Sequence, residues 1–375
     1  MSAEDVTLAV VVVTALFFDF TNGFHDTANS IATSVSTHAL SPRLAVISSA
    51  ILNFIGAFFF FAVAATIATG IVNPEAITLK VVLAGLVGAI TWNLVTWLIG
   101  LPSSSSHALI GGMIGSAIAA SGWGVVNWEG IKDKVLIPSL VAPFLGVAFA
   151  FLLILGLTWL VARRAPTKVN RGFRKAQLVS GAFVAFTHGT NDAQKTMGII
   201  ALALVASGHL DPNFERPPTW VIAASAIAMA AGTYAGGWRI IKTLGQRIAK
   251  IDPAQGFAAQ TACASILWGT AHFGFPVSTT HTISGSVLGA GAVRGFHAVR
   301  WGVAGNILVA WILTIPAAAL VGAFMELVTR LPGGHVIVFV LAILIAAAAF
   351  TARRFERRRL APAIEPPAVG AAATA

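Results

Sequence analysis

The chain has 375 residues, 57% of them hydrophobic and only 10% charged, with a mean hydropathy of +0.83. So few charges cannot cover a soluble surface, which excludes a soluble domain and indicates a polytopic membrane protein. The formal charge of +10 would suggest nucleic acid in a soluble chain. Here the basic residues sit in short loops between apolar runs, where the positive-inside rule accounts for them, and no nucleic-acid partner is expected.

Crossing the hydrocarbon takes roughly 20 apolar residues as a helix. In chain order the full-length candidates are 6–24, 44–70, 79–101, 135–162, 219–237, 257–275, 301–328 and 334–351. Shorter stretches interrupted by Gly, Ser, Thr or Asn occupy 27–40, 106–121, 176–190, 193–207 and 281–293. The pattern predicts an all-α polytopic membrane protein of roughly 10–12 membrane segments, with re-entrant or broken helices among them. The N-terminal MSAEDVTL has no basic n-region, so the first apolar segment reads as a retained span. Cys263 is the single cysteine, so neither an intrachain disulfide nor redox chemistry is expected.

Residues 20–33, FTNGFHDTANSIAT, are echoed 166 positions later by FTHGTNDAQKTMGI. Phe20 falls on Phe186, Thr21 on Thr187, Gly23 on Gly189 and Asp26 on Asp192. GLPSSSSHALIGG (100–112) matches GFPVSTTHTISGS (274–286) at an offset of 174, placing Pro102 on Pro276 and His107 on His281. Trp128 with Pro143 matches Trp301 with Pro316 at an offset of 173. Three landmarks in one order at nearly constant offset indicate an internal duplication.

The run RRAPTKVNRGFRK (163–175) holds six basic residues and no acid, so it should be cytoplasmic. Alternation from that point puts 18 Lys and Arg in inside loops against five outside. This places the N-terminus outside and the C-terminus in the cytoplasm of a multi-pass cell (inner) membrane protein, with residues 6–40 counted as one crossing plus a re-entrant piece. The odd number of crossings before residue 163 makes the two repeats inverted. The expected division is a first repeat at 1–162, a basic linker at 163–175, a second repeat at 176–328, an extra C-terminal span at 329–352 and a basic, disordered tail at 353–375.

Two motif types carry the chemistry. Pro102 and Pro276 each precede a hydroxyl cluster, Ser104, Ser105, Ser106 and Ser278, Thr279, Thr280, which reads as a capped helix start. Helix N-termini offer free N–H groups and positive potential, so two of them meeting near the midplane would cage a tetrahedral oxyanion. Asp26 and Asp192 are the acids matched across the halves, and an ionisable group at membrane depth is a functional-site candidate. Two ionised carboxylates repel an anion by several kcal/mol at short range in a low-dielectric site, so the anion must enter with cations: protons, sodium or a divalent metal. A desolvated carboxyl group holds a proton more readily, as a proton carrier must.

His25 and Asn191 share one repeat position, as do Asn29 and Lys195. Asn offers a carbonyl to a hard cation, whereas His carries protons or softer metals, which leans toward proton coupling. Lys195 either contacts the anion or balances Asp192 at i+3. His107 and His281 follow the clusters as orienting or structural groups. Asp19 has Ala185 at its matched position, and either joins a proton path or snorkels within the first span.

The paired segments GFHDTANS and HGTNDAQK, with PSSSSH and PVSTTH, resemble the inorganic phosphate transporter (Pit) family, and residues 92–112 are similar to its bacterial low-affinity members. The resemblance covers about residues 6–351. It implies a membrane carrier that moves inorganic phosphate by cation symport. It places Asp26, Asn29, Asn191, Asp192 and both hydroxyl clusters at the substrate and ion sites. His25 resembles the proton-coupled members, which carry phosphate as a neutral complex with a divalent metal such as Mg²⁺ or Ca²⁺. No prosthetic cofactor and no resident metal are implied. Lipid and phosphate are the expected partners, with a homodimer left open. Sulfate as the anion and sodium as the coupling ion remain the alternative readings. An intramembrane Ser–His–Asp hydrolase is disfavoured because the Ser–His pair is duplicated without a nucleophile elbow.

Overall fold

Small polar residues start most of the helices. Ser2 forms a reciprocal capping box with Asp5, Ser41 caps Leu44, Thr78 caps Val81, and Asp252 forms a second capping box with Gln255. The computed structural model describes residues 2–73 and 77–360. In chain order its helices are α1 (Ala3–Ser36), α2 (Pro42–Gly56), α3 (Ala62–Thr69), α4 (Leu79–Ile99) and α5 (Ser105–Ser121), then α6 (Trp128–Gly130), which continues through a π turn into α7 (Ile137–Val161). The second half holds α8 (Pro166–Ala206), α9 (Thr219–Ala235), α10 (Trp238–Lys242), α11 (Pro253–His272), α12 (Thr279–Ala292) and α13 (Trp301–Thr329), and α14 (Gly334–Leu360) follows. Among the described residues there is no strand, only the isolated bridges Val72–Val126 and Ala249–Val299.

The chain is therefore all-α with several membrane spans, as expected. Five helices are individually long and apolar enough to cross a membrane, and α9 with the bent segment after it makes a sixth. The remaining segments are shorter or more polar because they carry the buried polar residues described below. Large apolar side chains on α7, α13 and α14, such as Phe144, Leu160, Leu320 and Leu344, face outward, as a lipid-facing surface requires.

Two expected breaks are absent. Helix α1 runs unbroken through residues 24–27, and α8 joins 176–190 to 193–207, so neither duplicated acid sits at a re-entrant break. The glycines of the two motifs serve close packing. A Cβ on Gly23 would lie 2.5 Å from the Met229 carbonyl oxygen of α9, and one on Gly189 would lie 2.2 Å from the Asn53 carbonyl oxygen of α2. Small residues that let helix backbones touch are the usual device of membrane helix pairs. Conversely, the span expected at 44–70 is divided. Phe60 takes a left-handed φ of 58° and turns the chain between α2 and α3, its ring packed on Trp268 and His272. After α9, Gly236 (φ 69°) admits a 63° bend into Trp238–Arg247.

The expected linker also differs in detail. Helix α8 begins at Pro166, so most of 163–175 is an exposed helical extension of the second long helix. The tail expected from 353 onward starts as helix, since α14 continues to Leu360, and residues 361–375 lie outside the described residues.

Two hairpins of matching build follow the long helices. Helices α4 and α5 pack along each other, and the bridge Val72–Val126 joins the start of one to the end of the other. Helices α11 and α12 do the same, closed by Ala249–Val299. At each tip a left-handed glycine, Gly100 or Gly274, ends the first arm, and a proline follows two residues later. Packing crosses between the halves in matching ways: α1 lies on α9 and α8 on α2, while α5 lies on α13 and α12 on α7.

Candidate functional site

The long helices α1 and α8 and the two hairpin tips converge. On α1 the positions 19, 22, 26 and 29 follow helical spacing and share one face; on α8 the face is 188, 192 and 195. Each hairpin tip delivers a helix start, with Ser104 as N-cap of α5 and Ser278 as N-cap of α12. The tips meet: Ser106 Oγ donates to the Val277 carbonyl (3.5 Å), and the His107 and His281 rings stand edge to face at 4.7 Å. Two positive helix ends thus approach one point from opposite hairpins.

Every predicted site residue lies in this cluster and is at most 3% exposed. Asn29 Nδ2 donates to Thr279 Oγ1 (3.0 Å) and Thr280 Oγ1 (2.9 Å). Its repeat counterpart Lys195 donates to Ser106 Oγ (2.5 Å), the counterpart of Thr280, and to the Val277 carbonyl (3.1 Å). Thr280 donates to Asp26 Oδ1 and Thr279 to Asp192 Oδ2, each at 3.3 Å. Each half therefore hands its long helix's polar residue to a hairpin hydroxyl. Ser104 and Ser278 accept the His107 and His281 N–H groups as caps, leaving their hydroxyl protons to donate. Ser105 Oγ makes no hydrogen bond.

The charges are unevenly shared. Lys195 forms an ion pair with Asp192, which is the balancing role, and it also reaches the hydroxyl tip at Ser106. His25 Nδ1 lies 2.7 Å from Asp26 Oδ1, and its Nε2 is 3.0 Å from Thr96 Oγ1. Asn191, which matches His25, donates to Thr270 (3.4 Å), and Thr96 and Thr270 themselves match at the 174 offset. His107 and His281 stand behind the tips, His107 bonded to Ser139 (2.8 Å) and His281 stacked on Trp311.

Four contributors escaped the sequence reading. His188 Nε2 lies 3.1 Å from Asp192 Oδ2, and its Nδ1 is 3.1 Å from Asn53 Oδ1. Its signal was present, because the 166 offset pairs His188 with Asn22, a polar residue in both copies. Asn53 on α2 gave no motif signal. Thr96 and Thr270 were visible as a matched hydroxyl pair upstream of the two prolines. One ligand atom each from Asp26, His188 and Asp192 lie within 4.8 Å of one another, a spacing that suits a shared cation.

The sequence pattern of the phosphate transporter family matches residues 22–168 and 161–322. The chain belongs to that family. A probable low-affinity inorganic phosphate transporter from Mycobacterium bovis is 52% identical over 339 residues, covering 89% of this chain and 80% of the relative. Relatives described in the same words from Rhizobium meliloti (50% identical, 85% of this chain and 97% of the relative) and Bacillus subtilis (47%, 84% and 94%) are also similar. A solved structure described as the sodium-dependent phosphate transporter superposes with a TM-score of 0.78 at 25% identity, covering 87% of this chain and 99% of that one. Membership places the chain among transporters and removes the hydrolase reading. It also fits the several apolar helices of a multi-pass membrane protein.

Proposed function

We propose that this chain is a secondary active carrier that moves inorganic phosphate across the cell membrane together with protons. The meeting of two capped helix starts, flanked by Lys195 and Asn29, carries the reading. Hydroxyls, first-turn N–H groups and an ammonium group together suit a tetrahedral oxyanion. Asp26 and Asp192, which accept hydrogen bonds at its edge, favour phosphate over sulfate, since phosphate retains a proton to donate and sulfate does not.

Lys195 narrows the role of the coupling ion. Its positive charge already balances Asp192. The carboxylate left for a transported cation is Asp26, which His25 Nδ1 contacts. The carboxylates of Asp26 and Asp192, within 4.8 Å of each other, also favour a divalent metal such as Mg²⁺ or Ca²⁺ entering with the phosphate.

The matched packing of the halves supports two inverted repeats, 1–162 and 176–328, joined at 163–175, with alternating access as one bundle moves against the other. The basic residues favour an outside N-terminus and a cytoplasmic C-terminus. The test is uptake into liposomes holding the purified chain, with imposed proton or sodium gradients. Phosphate should accumulate with an inward proton gradient and collapse with a protonophore. Uptake that follows sodium alone would refute proton coupling, and equal competition by sulfate would refute the choice of anion.

A further inference from the structure

Asp19 is a buried acid that the phosphate cage does not use. It is fully enclosed on α1, two helical turns before Asp26 and on the same face, so it does not snorkel. Neither of its carboxyl oxygens has a hydrogen-bond partner. Asn22 on α1 and Thr196 on α8 face it, and Asn22 Oδ1 and Thr196 Oγ1 are likewise buried without partners. Asn22 and Thr196 are thus near enough to act on the Asp19 carboxyl group at the seam between the two long helices, with no well-formed hydrogen bond among them. Native structures rarely leave such groups unsatisfied, and an ionised carboxylate without donors is the costliest of them.

The charged groups that face Asp19 are Asp192 and Lys195, both on α8. Lys195 is committed to Asp192, Ser106 and Val277. A hard cation takes about six oxygens, and the carbonyls of the unbroken α1 and α8 are spent in their own helix ladders. A proton satisfies the whole group. Once protonated, Asp19 has an O–H to offer Asn22 Oδ1 and an oxygen that can accept from the Thr196 hydroxyl.

We propose that Asp19, with Asn22 and Thr196, is a second proton-binding station, separate from the phosphate cage, that must be loaded for α1 to close on α8. The seam buries an uncompensated charge if Asp19 is ionised and none if it is protonated. Closure of the long helices is thereby tied to proton uptake, and opening releases the proton. The matched position in the other half is Ala185, so the station exists once per chain.

The proposal rests on the reading of the chain as a proton-coupled carrier, and two measurements keep the two apart. The first is difference infrared spectroscopy of the purified chain across a pH step, which needs no transport. A protonated-carboxyl carbonyl band should be present in the wild type and in Asp26→Asn, absent in Asp19→Asn, and restored by Asp19→Glu. A wild-type spectrum equal to that of Asp19→Asn would overturn the proposal. The second measurement is phosphate flux in liposomes. One coupled proton supports about tenfold accumulation per pH unit. Asp19→Asn should lower the steady-state phosphate ratio about tenfold under a one-unit gradient, while phosphate exchange at equal pH stays within about twofold of wild type. An unchanged ratio, or loss of exchange together with accumulation, would overturn the proposal. A wild type that shows the band but moves no phosphate would sink the carrier reading and leave the station standing.

Discussion

Replacing Lys195 by Met keeps the length of the side chain and removes its charge. Lys195 is 1% exposed and holds Asp192, Ser106 and the Val277 carbonyl together. Without it Asp192 keeps only Thr279 and His188 as polar neighbours, each more than 3 Å away. Breaking a buried ion pair from one side costs about 3–5 kcal/mol, because the remaining charge is left uncompensated. His188 faces Asp192, so Lys195→Met should fall near the lower end, at about 3 kcal/mol. Asp192→Asn strands the lysine and should cost a similar amount. The double variant removes both charges and should return to within about 1 kcal/mol of wild type, a coupling energy of several kcal/mol. Unfolding of the purified protein in detergent reads these three stabilities. Phosphate binding should behave differently. Loss of a charge-assisted hydrogen bond to the anion costs about 1.5–3 kcal/mol, or roughly 10- to 150-fold in affinity. The double variant should not recover it, because the ammonium group is gone in both cases. Additive stabilities across the cycle would show that the ion pair is not what holds the cage, and wild-type phosphate affinity in Lys195→Met would remove the lysine from the anion site.

The other expectations rest on separate contacts. Asp26→Asn should abolish gradient-driven uptake with stability changed by no more than about 1 kcal/mol, since Asn still accepts from Thr280; wild-type uptake by this variant would take Asp26 out of the coupling step. Added Mg²⁺ or Ca²⁺ should stimulate uptake if metal and phosphate enter together, and uptake that chelation leaves unchanged would refute joint entry. Gly189→Ala sets a methyl group 2.2 Å from the Asn53 carbonyl oxygen and should cost about 1–3 kcal/mol by overpacking. Gly172→Ala, with nothing within 4 Å, should be neutral in the same unfolding assay. Equal stability of these two variants would refute the close α2–α8 contact.

The duplicated landmarks were legible because they are chemical. A proline followed by hydroxyls at the same offset in both halves announces two helix starts, and both starts face the cage. The acids were legible because an apolar chain has no cheap place for them. Helix continuity was harder to read. Glycine, asparagine and threonine in the motifs look like interruptions in hydropathy, yet Gly23 and Gly189 are contact points on unbroken helices. The break at Phe60 left no trace, since an aromatic residue rarely takes a left-handed conformation and only packing on Trp268 and His272 explains it. Asn53 was invisible for a related reason. Its partners His188 and Thr233 are 135 and 180 positions away, and nothing local marks a polar residue that bridges helices.

The two halves agree in their hydrogen-bond donors and differ in their titratable groups. Matched pairs such as Ser106 with Thr280, and Thr96 with Thr270, bond in equivalent ways. The mismatched pairs are His25 with Asn191, Asn29 with Lys195, Asn22 with His188 and Asp19 with Ala185. Each mismatch adds one ionisable side chain to one half only. Asp26 gains His25, and Asp192 gains both Lys195 and His188, so each matched acid has a base in contact. A strictly symmetric cage would present two bare carboxylates to the anion and demand two transported cations. On the carrier reading proposed above, Lys195 is a fixed cation that would lower this demand by one, at the expense of equivalence between the halves. Asp19 is left as the acid without a base in contact, and that asymmetry is what the proton station proposed above rests on.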